Sequence, residues 1–357
     1  MKQIISICIF LTSGLNTVFP QTSFIKGQTY ICQRTVDTIM IDGIGNEASW
    51  QKAKWSNYFV NIEGDKKSAP YLDTQVKMLW DDDYFYFYAK LDEPHIWATL
   101  KQRDTVIYWD NDFELFIDPN GDTHNYYELE VNALNTVWDL MLTKPYRDGG
   151  KAITSWDISG LKTAVHIEGT LNNTNDTDQF WSVEVAIPWE NLLETFPKKQ
   201  REIAGKEMRL NFSRVQWETD IVEGKYIKKK QPEYNWVWSP QRAIAMHEPE
   251  FWGRVYFSPE QAGSKKEIEF DEESEQIRQL LYSIHRKQRS LLKTTGSFST
   301  SKDELLDPIP QLNYALIEWT LEADQYWYHV KMKDVFNPSV FWHIDGTGRI
   351  WKENVAN

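Results

Sequence analysis

The sequence has almost no cysteine. Its 357 residues contain two, Cys8 and Cys32. Cys8 lies in a stretch read below as a leader, so one cysteine remains in the mature chain. An internal disulfide is excluded, and stability has to come from packing. Positive charge is also scarce, with 39 Lys and Arg against 52 Asp and Glu and a net charge of -13. That balance excludes nucleic acid and anionic membrane surfaces as main partners, because both need basic patches. The seven histidines are scattered without ligand spacing. Long apolar runs are missing. Ile4 to Leu11, preceded by Lys2, is too short to span a bilayer. It reads as a secretory signal over residues 1–21, which places the protein as secreted, periplasmic or on the cell surface. No later segment reads as a membrane span. Aromatic residues, by contrast, are abundant at 14%, including 17 Trp.

Tyr108 to Leu140 organises the rest. It reads as two strands joined at Pro119-Asn120-Gly121-Asp122, a run of turn-forming residues. Phe113, Leu115 and Ile117 alternate with Asp112, Glu114 and Asp118. Tyr127, Leu129 and Val131 alternate with Glu128 and Glu130. Strand side chains alternate faces, so one face fills a core and the other sets carboxylates and aromatic rings on a surface. Flat rings beside hydrogen-bonding carboxylates suit a sugar, which has apolar C–H faces and a rim of hydroxyls.

Further strands are expected over 74–80, 84–91, 161–168, 180–187, 208–217 and 251–257, with the chain turning at Asp81-Asp82-Asp83. Trp50, Trp80 and Trp181 sit in apolar alternation and are expected in the core. Many short strands without long helices between them predict an antiparallel β-sandwich over 22–258. The pattern then changes. Ile277, Leu280, Leu281, Ile284, Leu291 and Leu292 form a helical stripe, with an acidic first turn and a basic second half that suit the helix dipole. Strand-like runs follow at 314–321, 325–332 and 339–344. Residues 265–357 are therefore expected as a small α+β region, a long helix plus a β-meander, apart from the sugar face.

Several of these pieces resemble the family 9 carbohydrate-binding modules. They are Ile41-Asp42-Gly43 with Glu47 and Trp50, VKMLWDDDYFYFYAKLDEP at 76–94, DNDFELFID at 110–118, WSP at 238–240 and HEPEFWGRVYF at 247–257. Their order covers roughly residues 36–258. The resemblance implies a β-sandwich that grips sugar chains between two aromatic rings. It places one ring at Tyr108 or Trp109 and a sugar-binding carboxylate at Glu114. Where the family has its second tryptophan, this chain has Met246 and His247, and the nearest tryptophans are Trp236 and Trp238. Glu130 stands in place of a family arginine. The resemblance also implies structural calcium, for which Asp118, Asn120 and Asp122 offer hard oxygen ligands.

The expected ligand-binding set is Tyr108, Trp109, Glu114, Glu130, Arg214, Trp236 and Trp238, with an oligo- or polysaccharide as partner and no catalytic residue. Trp236 and Trp238, two apart, share a strand face and read either as a packing pair or as a clamp. Two other readings stay open. Glu114, Glu128 and Glu130 offer the paired carboxylates of a glycoside hydrolase. A sandwich without a sugar site would serve as an interaction module.

Overall fold

A computed structural model of the chain describes residues 26–196, 202–305 and 317–354. The expected leader over 1–21, and the start of the strand expected at 314–321, lie outside the described residues. Thirteen strands form one sheet that folds over on itself. From one edge it runs Ala152–Ile153, Val137–Leu142, Tyr126–Asn132, Asp112–Asp118, Glu207–Gln216 and Gly253–Gln261. It then passes through Thr29–Arg34 into Thr74–Trp80, Tyr84–Asp92, Phe180–Pro188 and Lys162–Glu168. Tyr234–Val237 adds to Glu207–Gln216, and Val60–Asn61 adds to it in turn.

Alternation explains why the halves close on each other. Val76, Met78 and Trp80, with Phe85, Phe87 and Ala89, point inward from one half. Phe113, Leu115 and Ile117, with Leu210 and Phe212, point inward from the other. The rings of Phe87 and Phe212 meet across the gap at 5.6 Å. Trp50, Trp80 and Trp181 are buried as expected. The strand pairings are antiparallel except those of Thr29–Arg34, which runs parallel to both neighbours and joins the two halves. Its residues mix apolar and polar types without a clean alternation, and the sequence pattern gave no strand there.

The strand Gly253–Gln261 continues past the expected boundary at 258. Beyond it the expected helix forms over Glu272–Thr295. Asp271 caps its first turn by accepting from the Ser274 N–H at 2.8 Å. Gly296, in the left-handed region at φ 80°, ends it. The helix stripe packs on a four-stranded meander, Trp319–Ala323, Tyr328–Lys333, Val340–Asp345 and Ile350–Asn354. Ile277, Leu280, Leu281 and Ile284 meet Val330 and Ile344 in a second core.

This region also docks on the sandwich through buried charge. Arg209 pairs with Glu275, and Arg254 donates to Glu272 at 2.7 Å. Arg278 donates to the Gly121 carbonyl at 3.1 Å. Arg147 and Arg286 bracket Glu248 and Glu250. Among the described residues no helix is long and apolar enough to cross a membrane.

Candidate ligand-binding site

The hairpin Asp112–Asp118 and Tyr126–Asn132 has the register the alternation predicts, with Glu114 directly opposite Glu130 and Leu115 opposite Leu129. Its apolar face enters the sandwich core. Its acidic face, expected at the surface, is instead covered: Asp112 is 0% exposed, Glu114 5% and Glu130 1%. Two segments remote in sequence cover it. On one side lies the short turn Ile107–Trp109, where the Tyr108 N–H donates to Glu130 Oε2 at 3.0 Å. On the other, Met246 and Trp252 pack on Phe116, Tyr126 and Leu140. His247 stands edge-on to Phe116 at 5.7 Å, with Nδ1 3.0 Å from the Tyr126 hydroxyl.

Burial without a neighbouring base changes the chemistry of these acids. Burial first, and the charge of Glu114 next, holds Asp112, Glu128 and Glu130 well above the usual carboxylate range. Glu114 is pushed up to about 7 by burial, against a hydrogen bond with Ser213 and with Glu233 adding to the rise. Such groups can donate as well as accept hydrogen bonds near neutral pH.

Aromatic rings rim this patch. Trp109 is 51% exposed. Its ring stacks with those of Tyr108, at 5.5 Å, and Trp217, at 6.0 Å and 14° from parallel. Lys228 fixes the stack from behind. Its ammonium lies 3.9 Å from the Trp217 ring centre and donates to the Trp109 carbonyl at 2.7 Å. The Trp217 indole N–H donates to the Tyr108 carbonyl at 2.8 Å. Tyr146, half-exposed, rests against His247 at 4.6 Å. Its hydroxyl is raised by burial and then by Glu128 and Glu130, while that of Tyr108 is raised by burial, Glu130, Glu233 and Glu114. Glu130 thus acts on both tyrosines.

Tyr108, Trp109, Glu114 and Glu130 therefore come together. Arg214, Trp236 and Trp238 do not join them. Arg214 pairs with Phe113 across the strands and so faces the sandwich interior. Its guanidinium is spent on Gln216, Thr74, Glu93 and the Asp92 carbonyl. Trp236 and Trp238 share that inner face and are buried in the core, the packing alternative of the two.

Sequence reasoning did not single out Trp138, Tyr146, Ser213 or Trp217. Trp138 lies opposite Glu130, and its indole N–H has no partner. The alternation Val137-Trp138-Asp139-Leu140 carried that signal. Ser213 lies opposite Glu114. In the expected calcium turn, both Asp118 oxygens accept from backbone, the Gly121 N–H at 2.9 Å and the Thr123 N–H at 2.8 Å. Asp122 accepts from the His124 N–H and from Arg349 Nε.

The exoglucanase XynX of Acetivibrio thermocellus is 28% identical over 116 residues, which is 32% of this chain and 9% of the exoglucanase. The match is thus a small part of that relative's length. Among solved structures, a protein from Bacteroides uniformis described as carbohydrate-binding is 16% identical with a TM-score of 0.48, covering 65% of this chain and 100% of that one. A family 9 carbohydrate-binding module from Caldicellulosiruptor kristjanssonii, solved with cellotriose, is 16% identical with a TM-score of 0.43, covering 68% of this chain and all of that one. The model of the carbohydrate family 9 binding domain-like family matches residues 41–257, more than half the sequence, and the chain belongs to that family.

Proposed function

We propose that the protein binds a sugar unit of an oligo- or polysaccharide on the rim of the hairpin's acidic face, acting outside the cytoplasm in glycan capture or breakdown. The exposed Trp109 ring, held parallel to Tyr108 and Trp217, is the observation that carries the reading. A sugar's C–H face stacks on such a ring. The half-exposed Tyr146 supplies a hydroxyl partner nearby. Family membership supports a sugar-binding role. The apolar run after Lys2 supports export.

The test is an array of oligo- and polysaccharides probed with the chain from residue 22, followed by calorimetry on the best binder. Trp109→Ala should weaken binding roughly fivefold or more, as losing a ring contact worth about 1 kcal/mol does. No binding across the array by a folded protein would leave an interaction module. Release of sugar from any member would replace this reading with a hydrolytic one.

A further inference from the structure

We propose that a cleft where the first strand parts from its neighbour is a second sugar site, sharing no residue with the Trp109 rim. It takes its ligand class from the reading above, but its place in the fold is its own. Thr29–Arg34 pairs with Gly253–Gln261 from Thr29 onward, yet with Thr74–Trp80 only at Gln33 and Arg34. The strands therefore diverge toward Thr29 and the sheet forks. Residues 53–57 cross the fork. There the Ser56 N–H donates to the Val76 carbonyl at 2.8 Å, and the Ser56 hydroxyl accepts from the Val76 N–H at 3.0 Å. The Tyr30 hydroxyl holds the same segment by donating to the Lys54 carbonyl at 2.6 Å. What stays open is a cleft of about 600 Å³, with Ile31 and Leu79 in its wall. Small-ligand sites span roughly 300–1,000 Å³.

Two aromatic rings line this cleft, one from the sandwich and one from the segment leading into the long helix. Trp55 is 37% exposed. Its ring lies 5.6 Å from that of Tyr88, and the Lys77 ammonium sits 4.5 Å from its centre. That ammonium also donates to the Trp50 carbonyl, so the contact is fixed. Phe270 has the Arg254 guanidinium 5.1 Å from its ring centre. Arg254 is itself held by the Asp271 carbonyl and by Glu272. Each ring is thus positioned by an anchored cation, as Lys228 positions Trp109. A ring held still at a cleft wall loses little freedom when a sugar's C–H face stacks on it.

The polar lining selects the ligand. Lys26 and Lys266 are occupied by Glu272 and Glu260, at 3.7 and 2.9 Å. The Thr29 hydroxyl, the Lys54 ammonium and the Glu269 carboxylate also line the cleft, and their side chains have no hydrogen-bond or ion-pair partner among the described residues. One cation and one anion leave the free groups balanced, which favours an uncharged ligand over an anion or a metal ion. Donors and acceptors beside rings favour hydroxyls over a wholly apolar guest, which would strand the polar groups. Rings, hydroxyl partners and balanced charge together describe one or two units of a neutral glycan. Two such sites on one chain let a long glycan be held at both, which raises avidity without any new contact.

The experiment is calorimetry on the full chain with neutral trisaccharides of glucose, xylose and mannose. At least one should bind at two per chain. Trp109→Ala should leave the cleft site at its wild-type affinity, and adding Trp55→Ala to that variant should weaken the remaining site roughly fivefold or more. Phe270→Ala in the same background should do likewise, and it decides the matter if the Trp55 variant does not fold. Binding at one per chain that is unaffected by Trp55→Ala and by Phe270→Ala would overturn the proposal and leave the rim reading standing. Binding that Trp55→Ala weakens and Trp109→Ala does not touch would keep the cleft and remove the rim. No trisaccharide bound by the folded wild type would sink both.

Discussion

An oxygen of Asp148 lies 2.8 Å from His285 Nε2, with both side chains buried. The first residue closes the short turn Tyr146–Asp148, and the second sits midway along the C-terminal helix. The other His285 nitrogen meets the Tyr328 hydroxyl of the meander. Arg289 adds a hydrogen bond to the Arg147 carbonyl at 2.9 Å. Tyr146, one wall of the candidate site, is therefore braced by the region expected to stand apart from the sugar face. Arg147 and Arg286 extend the brace to Glu248 and Glu250, next to His247.

Glu275→Ala tests how tightly that region is held. It would leave the Arg209 guanidinium buried without its carboxylate. Removing one partner of a buried pair costs about 3–5 kcal/mol. Urea denaturation should show the loss as a lower midpoint, and a change under about 1 kcal/mol would mean water takes the carboxylate's place.

Trp109 and Trp217 stack on each other and should behave oppositely when truncated. Trp217 is buried and donates a hydrogen bond, so Trp217→Ala should cost about 3–5 kcal/mol of stability. Trp109→Ala should leave the melting temperature within a degree or two and act on sugar affinity. Equal losses of stability would make Trp109 a structural ring.

The acid limb of stability should report on Glu250. Burial works against its ionised form, but the charges of Arg147 and Arg286 prevail and hold it at about 2, against 4.5 for a free glutamate. Its folded pKa is thus depressed, so its contribution is present above about pH 4.5 and is lost as pH falls toward 2. The span corresponds to about 3 kcal/mol. Glu248 shares the same arginines and is raised by burial and by Glu250, so it opposes part of the effect. Asp148 and His285 face the same cluster. The measurement is wild type against Glu250→Gln by denaturation at pH 5, 3.5 and 2.5. The gap should be widest at pH 5 and close toward pH 2.5, and a gap constant with pH would exclude the assignment.

Gly253 opens the strand that follows Trp252. A Cβ there would come within 2.3 Å of the Trp238 ring and 3.0 Å of the Gln28 carbonyl. Trp238 is locked in the core, so Gly253→Ala should cost about 1–3 kcal/mol through overpacking. A melting temperature equal to wild type would show that the ring has room to shift.

Much of this was legible in the sequence, residue by residue. Phe113, Leu115 and Ile117 announced the inner face of the hairpin, and Ile277 to Ile284 announced the helix. The same alternation placed Arg214 inside, since Met208, Leu210, Phe212 and Arg214 are each two apart. Reading Arg214 as a sugar ligand set its charge above its register. The covering of Glu114 and Glu130 was not legible. It depends on residues 107–109 and 246–252 arriving over a face whose own pattern reads as solvated. Trp138 lay one strand beyond Glu130, where only the register of the third strand reveals it.

The strand Thr29–Arg34 sets the order in which the molecule can assemble. Its Gln33 carboxamide donates to the Ser264 carbonyl at 2.8 Å, 231 residues further along. Its main chain pairs with Arg254 to Phe257. The hairpins Thr74–Trp80 with Tyr84–Asp92, and Asp112–Asp118 with Tyr126–Asn132, close over short loops and can pair as soon as they are made. The joint between the halves carries the largest loop-closure entropy and waits for nearly the whole sandwich to leave the ribosome. Until then the edge of the first strand that meets Gly253–Gln261 stays unpaired, a template for another chain. Folding yield should therefore be governed by this joint.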